Sequence, residues 1–204
     1  MKKDVLLIVD VQNDFCPQGA LPVPDGDRVV PVINKIINKF FKVVATQDWH
    51  PEDHISFAKT HNKNIGEVIE INGVSQVLWP VHCVRGSVGA QLHKDLNEKE
   101  IDLIIRKGTN PQIDSYSAFL ENDKKTETGL HWWLKGLGIK EVYICGLALD
   151  YCVYFSACDA VNFGFDTYVI LDATKGVDIP EGNLQRALKH MESIGVKIIN
   201  HEQI

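Results

Sequence analysis

Three groups that can act together on a carbonyl carbon stand at the ends of apolar runs: the thiol of Cys152, the carboxylate of Asp10 and the ammonium of Lys107. A thiol attacks as its thiolate, and the unpaired N–H groups of a helix N-terminus favour that anion. Cys152 is expected to open an apolar helix directly behind Tyr143-Ile144-Cys145-Gly146-Leu147-Ala148, which sets its pKa below the roughly 8.5 of a free cysteine. Asp10 ends the run Leu7-Ile8-Val9, where partial burial raises a carboxylate toward the range of a useful base. Lys107, between Arg106 and Gly108, supplies a cation that stabilises both anions.

A second group lies in Asp48-Trp49-His50-Pro51-Glu52-Asp53-His54. Pro51 biases His50 toward extended geometry, and residues two apart in an extended chain share a face, so Asp48 and His50 can address one ion. His54 follows on a turn, and Trp79-Pro80-Val81-His82 can return a third imidazole. Two or three histidines with one carboxylate suit zinc, iron or manganese with positions left for water and substrate. Each residue also has a plain reading: Cys152 as a packed core thiol, Asp10 as a turn residue, Lys107 and the histidines as solvated groups. His61, His93, His131, His190 and His201 are assigned no role.

The elements that must position these groups alternate along the chain. Apolar runs over 5–11, 42–47, 101–106, 142–145, 167–171 and 196–199 read as six strands. Helical patterns cover 28–40, 128–137, 153–162 and 183–193. Continuous apolar strands separated by helices predict a doubly wound α/β domain with a six-stranded, mainly parallel sheet. Ligands bind outside the carboxyl ends of such strands, where Asp10, Asp48, Lys107 and Cys152 all fall. One domain over 1–204 is expected, with an insertion at about 50–99 that carries metal ligands and a hairpin turning at Asn72-Gly73.

A chain of 204 residues, 45% hydrophobic, can bury about 70% of its unfolded surface in one core. Five cysteines without close pairing suit reduced thiols in a cytoplasmic protein. The apolar run at 5–9 is too short for a secretion signal or a membrane span. A net charge of −6 without a basic cluster argues against nucleic acid and anionic membranes as partners. No G-x-G-x-x-G, Walker A or G-x-S-x-G pattern occurs, which leaves small-molecule chemistry and leaves homo-oligomerisation open.

Several longer stretches carry a resemblance that spans nearly the whole chain. They are Asp10-Val11-Gln12-Asn13-Asp14-Phe15-Cys16, Gln47-Asp48-Trp49-His50-Pro51 with His54-Ile55-Ser56-Phe57, Trp79-Pro80-Val81-His82-Cys83-Val84, Gly86-Ser87-Val88-Gly89, Lys107-Gly108, Tyr116-Ser117-Ala118-Phe119 and Gly146 to Val153. Through them the sequence resembles the nicotinamidases, also called pyrazinamidases, of the isochorismatase-like cysteine hydrolases. The resemblance implies a triad of Asp10, Lys107 and Cys152, and a divalent metal, zinc first and iron or manganese next, on Asp48, His50, His54 and His82. It further implies a cis Leu147–Ala148 peptide, an oxyanion hole from the N–H groups of Ala148 and Cys152, and a pyridine ring sandwiched by Phe15, Trp79 and Tyr116. Leu149 departs from the pattern, since similar sequences commonly carry threonine there.

The implied activity is hydrolysis of nicotinamide to nicotinate and ammonia through a Cys152 thioester, in NAD salvage. Two competitors differ in class. In one, a metal-bound hydroxide attacks the amide while Cys152 only packs, or a related isochorismatase-like amidase acts on another small amide. In the other, the fold binds a ligand without turnover.

Overall fold

A computed structural model describes residues 3–71 and 73–204. Eight strands and four α-helices follow in the order β1 (Asp4–Val9), α1 (Val29–Ile36), β2 (Lys42–Asp48), β3 (Val68–Ile71), β4 (Val74–Val77), β5 (Leu103–Lys107), α2 (Leu130–Leu137), β6 (Glu141–Leu147), α3 (Tyr154–Asn162), β7 (Asp166–Lys175), α4 (Asn183–Ser193) and β8 (Lys197–Ile199). Six strands form one sheet in the order β5-β2-β1-β6-β7-β8, and every pairing in it is parallel. The two remaining strands make a separate antiparallel hairpin inside the 50–99 segment. Asn72 of the expected Asn-Gly turn lies outside the described residues.

β1 occupies the middle of the sheet because Val5 to Val9 are apolar on both faces, and all six of its residues, Asp4 included, are buried. Leu6 and Ile8 pack on one side with Val29, Val30, Ile33 and Ile36 of α1. Val5, Leu7 and Val9 pack on the other with Leu130 and Leu134 of α2, Ala157 and Ala160 of α3 and Met191 of α4. This is the period of two that a strand imposes on its side chains. Replacing Ile33, fully buried on α1, by alanine would cost about 2–5 kcal/mol through lost transfer energy and the residual cavity.

Three boundaries differ from the sequence reading, and each bears on the site. β1 ends at Val9 rather than at 11, because Asp10 turns into the left-handed region at φ 49°. β5 runs to Lys107, so the lysine is the last strand residue and pairs with Asp48 of β2. The helix expected to open at Cys152 is preceded by a wide π-helical turn over Leu149–Val153, and α3 starts at Tyr154. Where β6 passes β1, Gly146 pairs with Val9 at φ +108°, and a Cβ there would stand 2.1 Å from the Val9 carbonyl oxygen. Only glycine permits that approach. Among the described residues no helix is long and apolar enough to cross a membrane.

Candidate active site

The carboxyl ends of β1, β2 and β5 and the turn after β6 bring Asp10, Asp48, Lys107 and Cys152 to one point, as the strand-end argument requires. Lys107 is completely buried. Its Nζ donates to a carboxylate oxygen of Asp48 and to the Ser115 carbonyl at 2.9 Å, lies 2.9 Å from Asp10 Oδ2 as an ion-pair contact, and approaches Cys152 Sγ at 3.5 Å. A carboxylate oxygen of Asp10 is within 4.8 Å of the same sulfur. Thr46 orients Asp10 from both sides: its hydroxyl donates to Asp10 Oδ1 at 2.6 Å and accepts the Asp10 N–H at 3.1 Å.

Burial and the central cation sort the protons among these groups. Burial works against the Lys107 charge, but Asp10 and Asp48 outweigh it and hold the ammonium well above its ordinary value. Burial raises Asp10 despite Lys107 and Thr46, with the Asp48 charge adding to the rise. Burial also disfavours the charge on Asp48, yet Lys107 and then His50 pull this carboxyl far below its usual range. The Cys152 thiol is pushed well up by burial, with Lys107 opposing. This corrects the expectation of a thiol acidified by its place at a helix start: Cys152 sits inside the π turn and out of water, so desolvation decides. The sulfur is thus held as a thiol until a base takes its proton.

Beside this cluster stand the histidines. His50 Nε2 lies 3.5 Å and His82 Nε2 3.9 Å from Asp48 Oδ2. Their other nitrogens are occupied by backbone: His50 Nδ1–H donates to the Gly108 carbonyl at 2.8 Å, and His82 Nδ1–H to the Pro80 carbonyl at 2.7 Å. Such bonds fix the ring and direct Nε2 at the shared point, the outer support that metal-bound imidazoles commonly have. One carboxylate and two so-anchored imidazoles fit a divalent ion of the zinc type. His54 does not converge with them. It stacks on His50, with ring centroids 4.0 Å apart, and its nitrogens contact Ser56 Oγ at 2.7 Å and the Ile113 carbonyl at 3.2 Å. Its ligand atom groups with His50 and Asp114 and not with Asp48 and His82, so the expected four-residue set closes at three.

Burial, followed by repulsion from His50, lowers both His54 and His82 to about 4. His50 goes the other way: burial disfavours its charge, but Asp48 outweighs burial and raises it.

Cys152 lies in a cavity of about 450 Å³, counted to its open mouth, that also exposes Asp48 and His82. Phe15, Trp79 and Tyr116 line it, and Trp79 Nε1–H donates to the Tyr116 hydroxyl at 3.1 Å. The peptide Leu147–Ala148 is cis, and Ala148 borders the cavity next to the sulfur. Leu149, the departure from the family pattern, packs into the core beneath α3 and does not line the cavity.

Five lining residues escaped the sequence reading: the apolar Leu21, Val23 and Val177, and the polar Tyr151 and Asp114. Tyr151 stands edge-on to Trp79 at 5.0 Å and to Tyr116 at 5.5 Å, and its place beside Cys152 was the available signal. Asp114 lines the cavity and is held by the Ser115 N–H at 2.8 Å and by Gln76 Nε2–H at 2.7 Å. It stands two residues before Tyr116 in a segment without strand or helix, so no periodicity marked it. The histidines assigned no role lie elsewhere: His201 pairs with Asp172, and His131 stacks on Phe163 at 4.1 Å.

A doubly wound parallel sheet carrying a buried cysteine, aspartate and lysine at its carboxyl edge is the isochorismatase-like fold. The isochorismatase domain model matches residues 4–203, and the chain belongs to that family. A nicotinamidase of Acinetobacter baylyi is 48% identical over 200 residues, covering 98% of this chain and 93% of that protein. The solved nicotinamidase pyrazinamidase of Acinetobacter baumanii superposes with a TM-score of 0.97 at 49% identity, covering 100% of this chain and 98% of that one. A pyrazinamidase of Pyrococcus horikoshii, solved in complex with zinc, has a TM-score of 0.80 at 40% identity and covers 97% of this chain and 99% of its own.

Proposed function

We propose that this chain hydrolyses nicotinamide to nicotinate and ammonia, and pyrazinamide likewise, through a thioester on Cys152. The observation that carries the reading is the dry cluster in which Lys107 touches Asp10, Asp48 and Cys152 at the floor of an aromatic cavity. The similarity to nicotinamidases along nearly the full chain supports the substrate class.

Asp10, raised by burial, takes the thiol proton of Cys152, and Lys107 stabilises the thiolate as it forms. The sulfur attacks the carboxamide carbon, and the N–H groups of Ala148 and Cys152 receive the developing oxyanion, each donor contributing about 3 kcal/mol. As the C–N bond breaks, Asp10 returns the proton to the leaving nitrogen and ammonia departs. Asp10 then takes a proton from water, whose oxygen attacks the thioester. The C–S bond breaks, nicotinate leaves and the sulfur regains its proton. Phe15, Trp79 and Tyr116 hold the ring flat, so the amide meets the sulfur in a reactive orientation.

Asp48, His50 and His82 would hold a divalent ion, with His54 stacked beside them; their donor set suits zinc, iron or manganese, and the similarity to a pyrazinamidase solved in complex with zinc favours zinc. Bound there, the ion would supply a Lewis-acid contact that helps orient the heteroaromatic ring. Reduced thiols and the salvage of a pyridine product agree with a cytoplasmic location.

The test is to quench turnover of nicotinamide in acid and locate the acyl adduct by mass spectrometry. Adduct on Cys152 is expected. Adduct on Cys16 or Cys83, or ammonia release by Cys152→Ala near the parent rate, overturns the scheme. Benzamide, which lacks the ring nitrogen, should be hydrolysed far more slowly than nicotinamide.

A further inference from the structure

Gln12 belongs to the stretch after β1 but has no role in the chemistry above. Its side chain is wholly buried and spends all its hydrogen-bonding capacity on main chain. Gln12 Oε1 accepts the Asp48 N–H at 2.8 Å, and Nε2 donates to the Asp48 carbonyl at 2.9 Å and to the Ala90 carbonyl at 2.8 Å.

The reason lies in where β1 stops. Its register with β2 runs from Val5 opposite Lys42 to Ile8 opposite Ala45, and the chain then leaves extended geometry at Asp10. In a strand the N–H and C=O of one residue face the same neighbour. On the β5 side Lys107 is served by Trp49, whose N–H donates to the Lys107 carbonyl at 3.0 Å. The peptide groups of Asp48 therefore face the side from which β1 has departed. Left there unpaired, two buried backbone groups would each bear the full penalty of an unsatisfied hydrogen-bonding group. The Gln12 amide, one acceptor and two donors, occupies the place of the missing peptide.

We propose that Gln12 is a positioning residue for Asp48. By clamping both backbone groups of residue 48 it fixes the direction of the carboxylate, so that one oxygen meets Lys107 and the other faces His50 and His82. The clamp rests on the reading of Asp48 as a metal ligand. Glutamate at this position keeps an acceptor for the Asp48 N–H but sets a carboxylate against two carbonyl oxygens. Methionine keeps the length and offers neither donor.

The experiment measures the zinc dissociation constant by chelator competition, with melting temperature recorded for every protein, well below the lowest melting point. The proteins are the parent, Gln12→Met, Gln12→Glu and Gln47→Leu. The last is the control, because Gln47 Nε2 donates to the same Ala90 carbonyl at 3.0 Å while its side chain makes no hydrogen bond to the Asp48 peptide groups. Both Gln12 variants should bind zinc roughly ten- to a hundredfold more weakly, the usual cost of losing a ligand's outer support, and Gln47→Leu within about twofold of the parent. Folded Gln12→Met with parental zinc affinity overturns the clamp and leaves the metal reading standing. Equal weakening in Gln47→Leu overturns it as well, since the effect would then be loosened packing. A parent that takes up no zinc removes the metal reading and the clamp with it. Should Gln12→Met fail to fold, Gln12→Glu carries the same comparison.

Discussion

The Lys107 ammonium lies 2.9 Å from the Asp10 carboxylate, and neither side chain reaches solvent. One cation here faces two carboxylates, those of Asp10 and Asp48. Two buried like charges beside one counter-charge push their pKa values apart, and Asp48 has gained His50 as a further partner. Asp48 thus stays ionised, while burial holds Asp10 above the usual carboxylate value. That division assigns Asp10 to acid–base work and Asp48 to electrostatic support.

Replacing Lys107 by methionine leaves two carboxylates buried without their cation. Stability measured by urea unfolding should fall by about 3–5 kcal/mol, and activity should vanish. Adding Asp48→Asn to Lys107→Met should restore part of that stability, because it removes one uncompensated charge. Simple additivity of the two changes would count against the shared ion pair.

Cys152→Ala should lower ammonia release by at least about a thousandfold, the scale of losing a nucleophile, and leave zinc affinity within about twofold. An equal fall in zinc affinity would mean that the sulfur serves the metal and not the substrate.

Zinc binding should release a proton at pH 6.5. His50, raised by Asp48, carries a proton that the ion must displace, so affinity should climb with pH until that value is passed and then level off. His54 and His82, at about 4, add no such dependence above pH 6. Calorimetry in buffers of different ionisation enthalpy counts the protons, and a zero count at pH 6.5 would contradict this assignment.

In protein stripped of metal, acid should destabilise early. The unfolded chain protonates His54 and His82 around pH 6.5, whereas the folded chain resists until about 4. Depressed histidine values stabilise the fold above the unfolded pKa, and that stabilisation drains away as pH falls from 6.5 toward 4, by up to about 1.4 kcal/mol per pH unit for each ring. His50 has the opposite sign, but its contribution is already complete below pH 6.5. Asp10 and Glu121, both raised in the fold by burial, take up protons earlier in the folded chain and oppose the trend, so the slope is shallower than the two rings alone would give. Urea midpoints at pH 7, 6 and 5 should decline in step, and a flat series would refute the burial of two neutral rings.

Gly108→Ala should weaken zinc binding by about tenfold or more. Gly108 has φ +61°, and a Cβ there would stand 2.4 Å from the His50 ring that its own carbonyl anchors. Since the ring must move and the backbone is strained, zinc titration should register the change even where the melting temperature falls only slightly.

Much of the fold was legible because the apolar runs are continuous and the helices amphipathic. The expected helix over 183–193 coincides with α4, and all six sheet strands stand where the runs fall. Chain ends of elements were less legible, since they depend on tertiary partners. Val11 is as apolar as Val9, yet Asp10 between them turns away to meet Thr46 and Lys107. The site was legible where reactive residues sat at strand ends or in long motifs. It was not legible at Asp114, brought in by an irregular segment, or at Gln12, whose partner lies 36 residues away.

By itself the sequence determined the alternation of strands and helices, and with it the edge at which Asp10, Asp48, Lys107 and Cys152 gather. Hydrophobic periodicity is a local property and survives without knowledge of neighbours. Only the tertiary structure decided the protonation of those residues, because burial and charge pairing act through space: a cysteine that a helix start would acidify is instead kept protonated by its dry surroundings. It decided too that His54 stacks on His50 and does not converge on Asp48, a matter of which carbonyls and hydroxyls each ring meets once the loops have closed.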